Sequence, residues 1–278
     1  MTTVLTVIAV FDGWLDGSIT ITSVDDWSVK ATIVFLLLVL VIMLAQIELS
    51  RLVAKKGLRV FTILSTAGSI MIAGSWYLRQ AGDIYSKNLI LGVFAGFLIA
   101  LLSCQYLRYG YSGVLANCGV NCFCVFYLGV LSSFVLGVRI EFGLWPLLMF
   151  VYVVKSADIG AYTIGKLFGN HRFCPGLSKG KSWEGVIGAV VTGAAVAVIF
   201  SKIFDIMLWQ SAVVFGLCFG FLGQLSDLVE SMMKRDAQEK DSARPGVTGV
   251  PGFGGVLDIV DSLLLTAPLA YLFFTFSI

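Results

Sequence analysis

Charge is what this chain has least of. Charged residues make up 13% of its 278 positions and hydrophobic residues 58%, and its mean hydropathy is +0.93. A soluble domain of that length needs far more polar surface, so a soluble globular fold is excluded and the chain is an integral membrane protein. The net charge is only +2, with no basic arm and no patch mixing aromatics with Lys and Arg, which leaves nucleic acid without footing as a partner. Histidine is nearly absent too: His171 stands alone in a loop, where such a residue is ordinarily just solvated. Cysteines 104, 118, 122, 124, 174 and 218 lie mostly in apolar segments. Cys118, Cys122 and Cys124 have a spacing that invites a metal reading, but they suit small packing residues of a membrane helix better. The first apolar run, residues 4–11, has no basic segment ahead of it, which argues against a signal peptide. It is also shorter than the ~20 residues a spanning helix needs, so an interfacial and a partly spanning helix both stay open for it. Soluble domains, low-complexity linkers and internal repeats are not apparent.

What the chain does have is apolar stretches of spanning length, at about 31–47, 59–78, 88–106, 113–137, 143–165, 184–201, 207–229 and 255–276. Together with the first run they predict an all-α, polytopic helical bundle of about eight to nine transmembrane helices. Residues 1–142 are expected to form an N-terminal scaffold for helix packing or oligomer contacts. Residues 143–278 would be the catalytic region, with loops 166–183 and 227–254. Lys and Arg orient the bundle: loops 48–59, 107–112, 166–183 and 227–254 carry thirteen, and 79–87, 138–142 and 201–206 carry four. The positive-inside tendency puts the first set in the cytoplasm. Gly188, Gly193, Gly216, Gly220 and Gly223 lie within spans, where small residues let helices approach closely. Gly220 and Gly223 also thin the helix ahead of Asp227 and could open space for a headgroup.

The scarce charges gather in residues 224–262, QLSDLVESMMKRDAQEKDSARPGVTGVPGFGGVLDIVDS. On a helix Asp227, Ser231 and Lys234 recur at i, i+4, i+7 with Glu230 beside them, so they share a face. Asp258, Asp261 and Ser262 do the same on the following helix. The Gly/Pro loop between offers unobstructed backbone N–H groups for phosphate oxygens, and carboxylates facing each other across it suit Mg²⁺ that also binds phosphates. A second constellation spans residues 155–185. Lys155, Asp158 and Tyr162 sit at i, i+3, i+7 in an apolar span that ends with Lys166; charges at such depth normally face a bundle interior or watery cavity. A purely structural Lys155–Asp158 pair fits the same spacing. Ser178, Lys179, Gly180, Lys181 and Ser182 then supply phosphate donors ahead of a helix start, though Walker A spacing is missing and a basic cytoplasmic loop also serves as a topology signal alone.

In order along the chain, Asp227-Leu228, Glu230-Ser231, Lys234-Arg235, Lys240-Asp241, Pro251-Gly252, Gly254-Gly255, Asp258 and Asp261-Ser262 resemble the C-terminal signature of the phosphatidate cytidylyltransferases, or CDP-diacylglycerol synthases. Asp158, Gly160-Ala161-Tyr162, Gly165-Lys166, Gly169, Ser178, Gly180-Lys181-Ser182 and Gly185 are similar to a second pattern of that family. The resemblance covers about residues 155–270. Phe253 replaces the family's usual His, Ile259 its usual Arg, and the stretch between Asp241 and Pro251 is longer than usual.

The resemblance implies CTP + phosphatidate → CDP-diacylglycerol + pyrophosphate in a multi-pass cell-membrane protein. It implies a divalent cation, Mg²⁺ or another, on Asp227 and Asp258 with Asp261 as a further ligand or neighbour; a second cation is left open. Lys181, Lys234, Arg235 and Lys240 would neutralise phosphates, with Asp241 among the catalytic residues. Asp158, Tyr162, Lys166, Ser178, Ser182, Glu230, Ser231, Gly254 and Gly255 complete the substrate site it implies. Expected partners are CTP, phosphatidate and the bilayer, with a homodimer open. Two other functions remain compatible: a CTP-dependent lipid kinase, which would need a base for a neutral hydroxyl, and a cation-coupled transporter. Against the transporter, most ionisable residues cluster at one membrane face rather than forming a path across, and inverted repeats are not evident.

Overall fold

The computed structural model describes residues 2–15, 31–80, 89–239 and 255–278. Apolar periodicity becomes helix almost throughout, as a bilayer requires: without water, only a helix satisfies its backbone polar groups internally. Among the described residues seven helical runs are long and apolar enough to cross a membrane. They are α2 (Thr32–Lys55), α5 (Leu89–Tyr109), the run Val114–Glu141, α8 (Leu144–Phe168), α9 (Trp183–Phe204), α10 (Trp209–Asp236) and α11 (Val256–Ser277). The run Val114–Glu141 contains α6 (Val114–Val125), one π-helical turn at Phe126–Val130, and α7 (Leu131–Glu141).

The expected span at 59–78 differs. It forms a 12-residue helix α3 (Thr62–Ala73) and a 5-residue helix α4 (Ser75–Arg79). Residues 58–61 are not helical, because α6 supplies their hydrogen bonds: Arg59 N donates to Asn117 Oδ1 at 3.0 Å and Phe61 N to Asn121 Oδ1 at 2.8 Å. The break at Gly74 falls where a Cβ would meet the Phe35 ring at 2.9 Å, so α2 packs against bare backbone there.

The N-terminal run forms α1 (Thr2–Leu15). Its 14 residues reach about 21 Å, short of the ~30 Å hydrocarbon core, and it packs against α2 and α8. Asp12 fixes its end. The carboxylate accepts from Ile33 N at 2.7 Å and Val34 N at 3.4 Å, and pairs with Arg139 Nη2 of α7 at 3.0 Å. Both side chains are buried, so each charge depends on the other.

Three helices meet closely enough to carry the site. A Cβ at Gly188 of α9 would lie 2.7 Å from Gly160 O of α8, and one at Gly216 of α10 would lie 2.3 Å from Ala194 Cα of α9. Gly220 likewise abuts Ala189 O, at 2.8 Å, and Gly223 faces Val154 at 3.6 Å. Both glycines are therefore covered by neighbouring helices rather than opening headgroup space. Cys118 and Cys122 pack against the smaller apolar cluster around Phe97 and Leu101, and Cys124 lies in the main core. Between α8 and α9 the basic segment is more ordered than a loop. Strands β1 (Arg172–Cys174) and β2 (Ser178–Ser182) form an antiparallel hairpin, with Arg172 opposite Ser182 and Cys174 opposite Ser178.

Candidate active site

The hairpin delivers Lys181 to the helix ends. Ser182 closes β2 and caps α9, its Oγ accepting from Gly185 N at 3.2 Å, so the backbone direction there is tightly defined. One residue earlier, Lys181 Nζ donates to Asp227 Oδ2 and to the Gln224 carbonyl oxygen, both at 2.9 Å. Gln224 Nε2 donates onward to Asp158 Oδ1 at 3.4 Å. Lys155 Nζ reaches Asp158 Oδ2 at 3.4 Å and donates to Ser262 Oγ at 2.8 Å. Three helices and the hairpin are thereby joined through one polar network, and the Lys155–Asp158 contact is part of it rather than an isolated pair. Asp261 lies behind it, 2% exposed, with its carbonyl oxygen accepting from Ser226 Oγ at 2.8 Å.

A second cluster lies further along α10. Lys234 Nζ stands 3.0 Å from Glu230 Oε2 and 3.3 Å from Asp258 Oδ1. Asp258 Oδ2 accepts from Gly255 N at 3.1 Å, which ties Asp258 back to the residue that flanks the start of its own helix. Glu230 is buried, and its Oε1 has no hydrogen-bond partner among the described residues. Ser231 is half-buried beside it. Arg235 is exposed and points back to the hairpin, its Nε 3.4 Å from Leu177 O. The two basic segments thus meet at one end of the bundle.

Between hairpin and helices lies an open cavity of about 280 Å³ whose lining includes Asp158, Tyr162, Ser178, Lys181, Ser182 and Asp227. Tyr162 is its exposed outer edge; Lys166 does not line the cavity but stands against Tyr162, its Nζ 3.4 Å from Tyr162 Oη and 5.5 Å from the ring centroid. His171 is exposed and bonds Glu184 Oε1 through Nδ1 at 2.7 Å. Ile259 is half-buried on α11. Lys240, Asp241, Phe253 and Gly254 lie outside the described residues.

Asp158, Asp227, Glu230, Asp258 and Asp261 confront Lys155, Lys181 and Lys234 in this region. Five carboxylates against three ammonium groups leave an excess of oxygen donors, and Glu230 Oε1 is a buried acceptor with nothing donating to it among the described residues. Hard oxygen donors with surplus negative charge fit a divalent cation. Among the described residues no three acidic, histidine or cysteine side chains already converge on one point, so oxygen donors beyond these side chains would have to complete such a site.

Two polar residues had no role assigned from sequence. Gln224 is 3% exposed and links Asp158 to the Lys181 network. Glu48 of α2 is fully buried, its carboxylate on the amides of Val256 and Leu257. The signal for both is the same one that marks Lys155: a strongly polar side chain inside an apolar span normally faces the bundle interior.

The profile of the cytidylyltransferase family matches residues 18–277. A phosphatidate cytidylyltransferase of Staphylococcus saprophyticus is 33% identical over 221 residues, covering 77% of this chain and 79% of the relative. One of Haemophilus influenzae is 38% identical over 139 residues, 48% of this chain and 47% of the relative. One of Chlamydia muridarum is 32% identical over 173 residues, 57% and 55% respectively. The match thus spans about half the length of the latter two relatives and about four fifths of the first.

Proposed function

The chain belongs to the cytidylyltransferase family, and on that footing we propose that it transfers the cytidylyl group of CTP to phosphatidate, giving CDP-diacylglycerol and pyrophosphate. An oxygen of the lipid phosphate attacks the α-phosphorus of CTP, and the bond from that phosphorus to the bridging oxygen of pyrophosphate breaks. A phosphate monoester is already ionised at neutral pH, so no side chain has to remove a proton from the attacking oxygen. The difficulty is to hold two anions together and to stabilise charge on the leaving group, which makes positioning and cationic donors decisive.

The observation that carries this reading is the pairing of Lys181 with Asp227 and of Lys234 with Asp258 at the same end of the bundle as the cavity. Lys181, reached through a capped strand end, is a donor for triphosphate oxygens entering from the hairpin side. Lys234 and Arg235 stand along α10 as further cations, and Lys240 follows them in the sequence. Asp158, Tyr162, Lys166, Ser178 and Ser182 border the nucleotide's entrance. Glu230, Ser231 and Gly255 border the second cluster. Asp227 and Asp258 would hold Mg²⁺, with Asp261 behind them. A divalent cation held by these carboxylates would supply Lewis-acid stabilisation of phosphate charge.

The test is direct. Purified protein in detergent with Mg²⁺, labelled CTP and phosphatidate should form CDP-lipid and release pyrophosphate; formation of a phosphorylated lipid alcohol with release of CDP would select the kinase chemistry instead. The site is proposed to face the cytoplasm, on the asymmetry of thirteen Lys and Arg against four. A single cysteine at Gln238, with the native thiols silenced, should then react with an impermeant maleimide only from the cytoplasmic side, and CTP with Mg²⁺ should slow it. Labelling from the opposite face would overturn the orientation.

A further inference from the structure

Helix α11 begins without a capping side chain at its N-cap position, because the residue there is Gly255. The first amides of a helix have no partners within it, and here Gly255, Val256 and Leu257 are all buried from water. Asp258 takes the Gly255 amide. The next two go to another helix: Glu48 Oε1 accepts from Val256 N and Glu48 Oε2 from Leu257 N, each at 2.9 Å. The Glu48 side chain is 0% exposed. A buried carboxylate is tolerated when charge-assisted bonds of this kind surround it, and a helix N-terminus favours negative charge.

The same helix grips the end of α10. Lys56 Nζ lies 2.6 Å from Asp236 Oδ1, and Lys55 is ion-paired with Glu239. The C-terminal end of α2 therefore meets the end of α10 through exposed ion pairs, while Glu48, two turns earlier, holds the start of the helix that carries Asp258.

We propose that Glu48 is a positioning residue for the reaction: from α2 it caps the first turn of α11 and so sets where Asp258 and Asp261 stand against Lys234 and Glu230. This rests on the assignment of Asp258 to the site. It also gives the N-terminal half of the chain a part in the chemistry beyond scaffolding. Both carboxylate oxygens are needed, one for each amide. Glutamine has a single acceptor oxygen and would turn an N–H donor toward one amide. Aspartate keeps the charge but is one methylene short.

Glu48→Gln and Glu48→Asp should be compared with Asp12→Asn, which disturbs a buried cap and ion pair between α1, α2 and α7, away from the site. In metal-free protein, hydrogen exchange at residues 256–262 should quicken in both Glu48 variants and stay unchanged in Asp12→Asn. Below the melting temperature of each variant, kcat of Glu48→Gln should fall by about tenfold or more, a shift of the reacting groups being enough for such a loss. KM for phosphatidate should change little, and the Mg²⁺ concentration giving half-maximal rate should rise. Asp12→Asn should lower the melting temperature and leave kcat as it was. Faster exchange with wild-type kcat and Mg²⁺ dependence would overturn the proposal by reducing Glu48 to a structural cap; so would a lower kcat without faster exchange. Should Glu48→Gln not fold, Glu48→Asp decides by the same two readouts. A wild-type protein that forms no CDP-lipid would count against the reaction itself, since the exchange measurement needs no turnover.

Discussion

Asp227→Asn and Asp258→Asn should each lower kcat about a thousandfold or more, the loss expected when a metal-held charge is removed from phosphoryl transfer. Both substitutions keep shape and one acceptor oxygen. In Asp258→Asn the remaining carbonyl oxygen could still accept from the Gly255 amide, so the start of α11 should persist. Lys181 would retain the Gln224 carbonyl oxygen after the change at 227. Neither substitution should therefore alter membrane insertion or monodispersity in detergent, and thermal melting should move far less than activity. The check is kcat against Mg²⁺ concentration for each variant beside the wild type. Near-normal turnover in either, with Mg²⁺ still required, would remove that residue from the site.

Lys181→Met should cost about a hundred- to a thousandfold in kcat/KM for CTP, the range seen when one preorganised donor to developing charge is deleted. Its ammonium sits 2.9 Å from Asp227 and from the Gln224 carbonyl, 18% exposed beside the cavity. Methionine retains most of the side-chain volume and removes only the charge and the donors. Lys181→Arg should recover part of the rate, because a planar guanidinium cannot reproduce a compact point charge in the same space. The loss in Lys181→Met should also be strongly non-additive with Asp227→Asn, as expected of groups in contact that serve one phosphate. Additive losses, or a normal kcat/KM for CTP in Lys181→Met, would place Lys181 in a structural ion pair only.

Much of this protein was legible in its residues because the bilayer is a severe solvent. Spans of apolar residues have to be helices there, so the all-α architecture follows from composition and length. The residues proposed to handle phosphate are equally plain, since Asp227, Lys234 and Asp258 stand out where charge is otherwise excluded. The resemblance carried by residues 155–270 pointed to the same family that the profile over 18–277 identifies. Tertiary structure decided which of those charges meet. Lys181 reaches Asp227 only because residues 172–182 fold back as a hairpin and Ser182 caps α9; no local periodicity encodes that turn. The span at 59–78 turns helical only at Thr62 because Asn117 and Asn121, distant in sequence, took the backbone bonds of residues 59 and 61, and it divides into α3 and α4 at Gly74, where Phe35 of α2 closes in. Glu48 shows the limit most clearly. In the sequence it is one acid near the end of an apolar helix, more than two hundred residues from its partners. Its place at the start of α11 depends on how α2 packs across the bundle, and such long-range packing has no periodic trace in the chain itself.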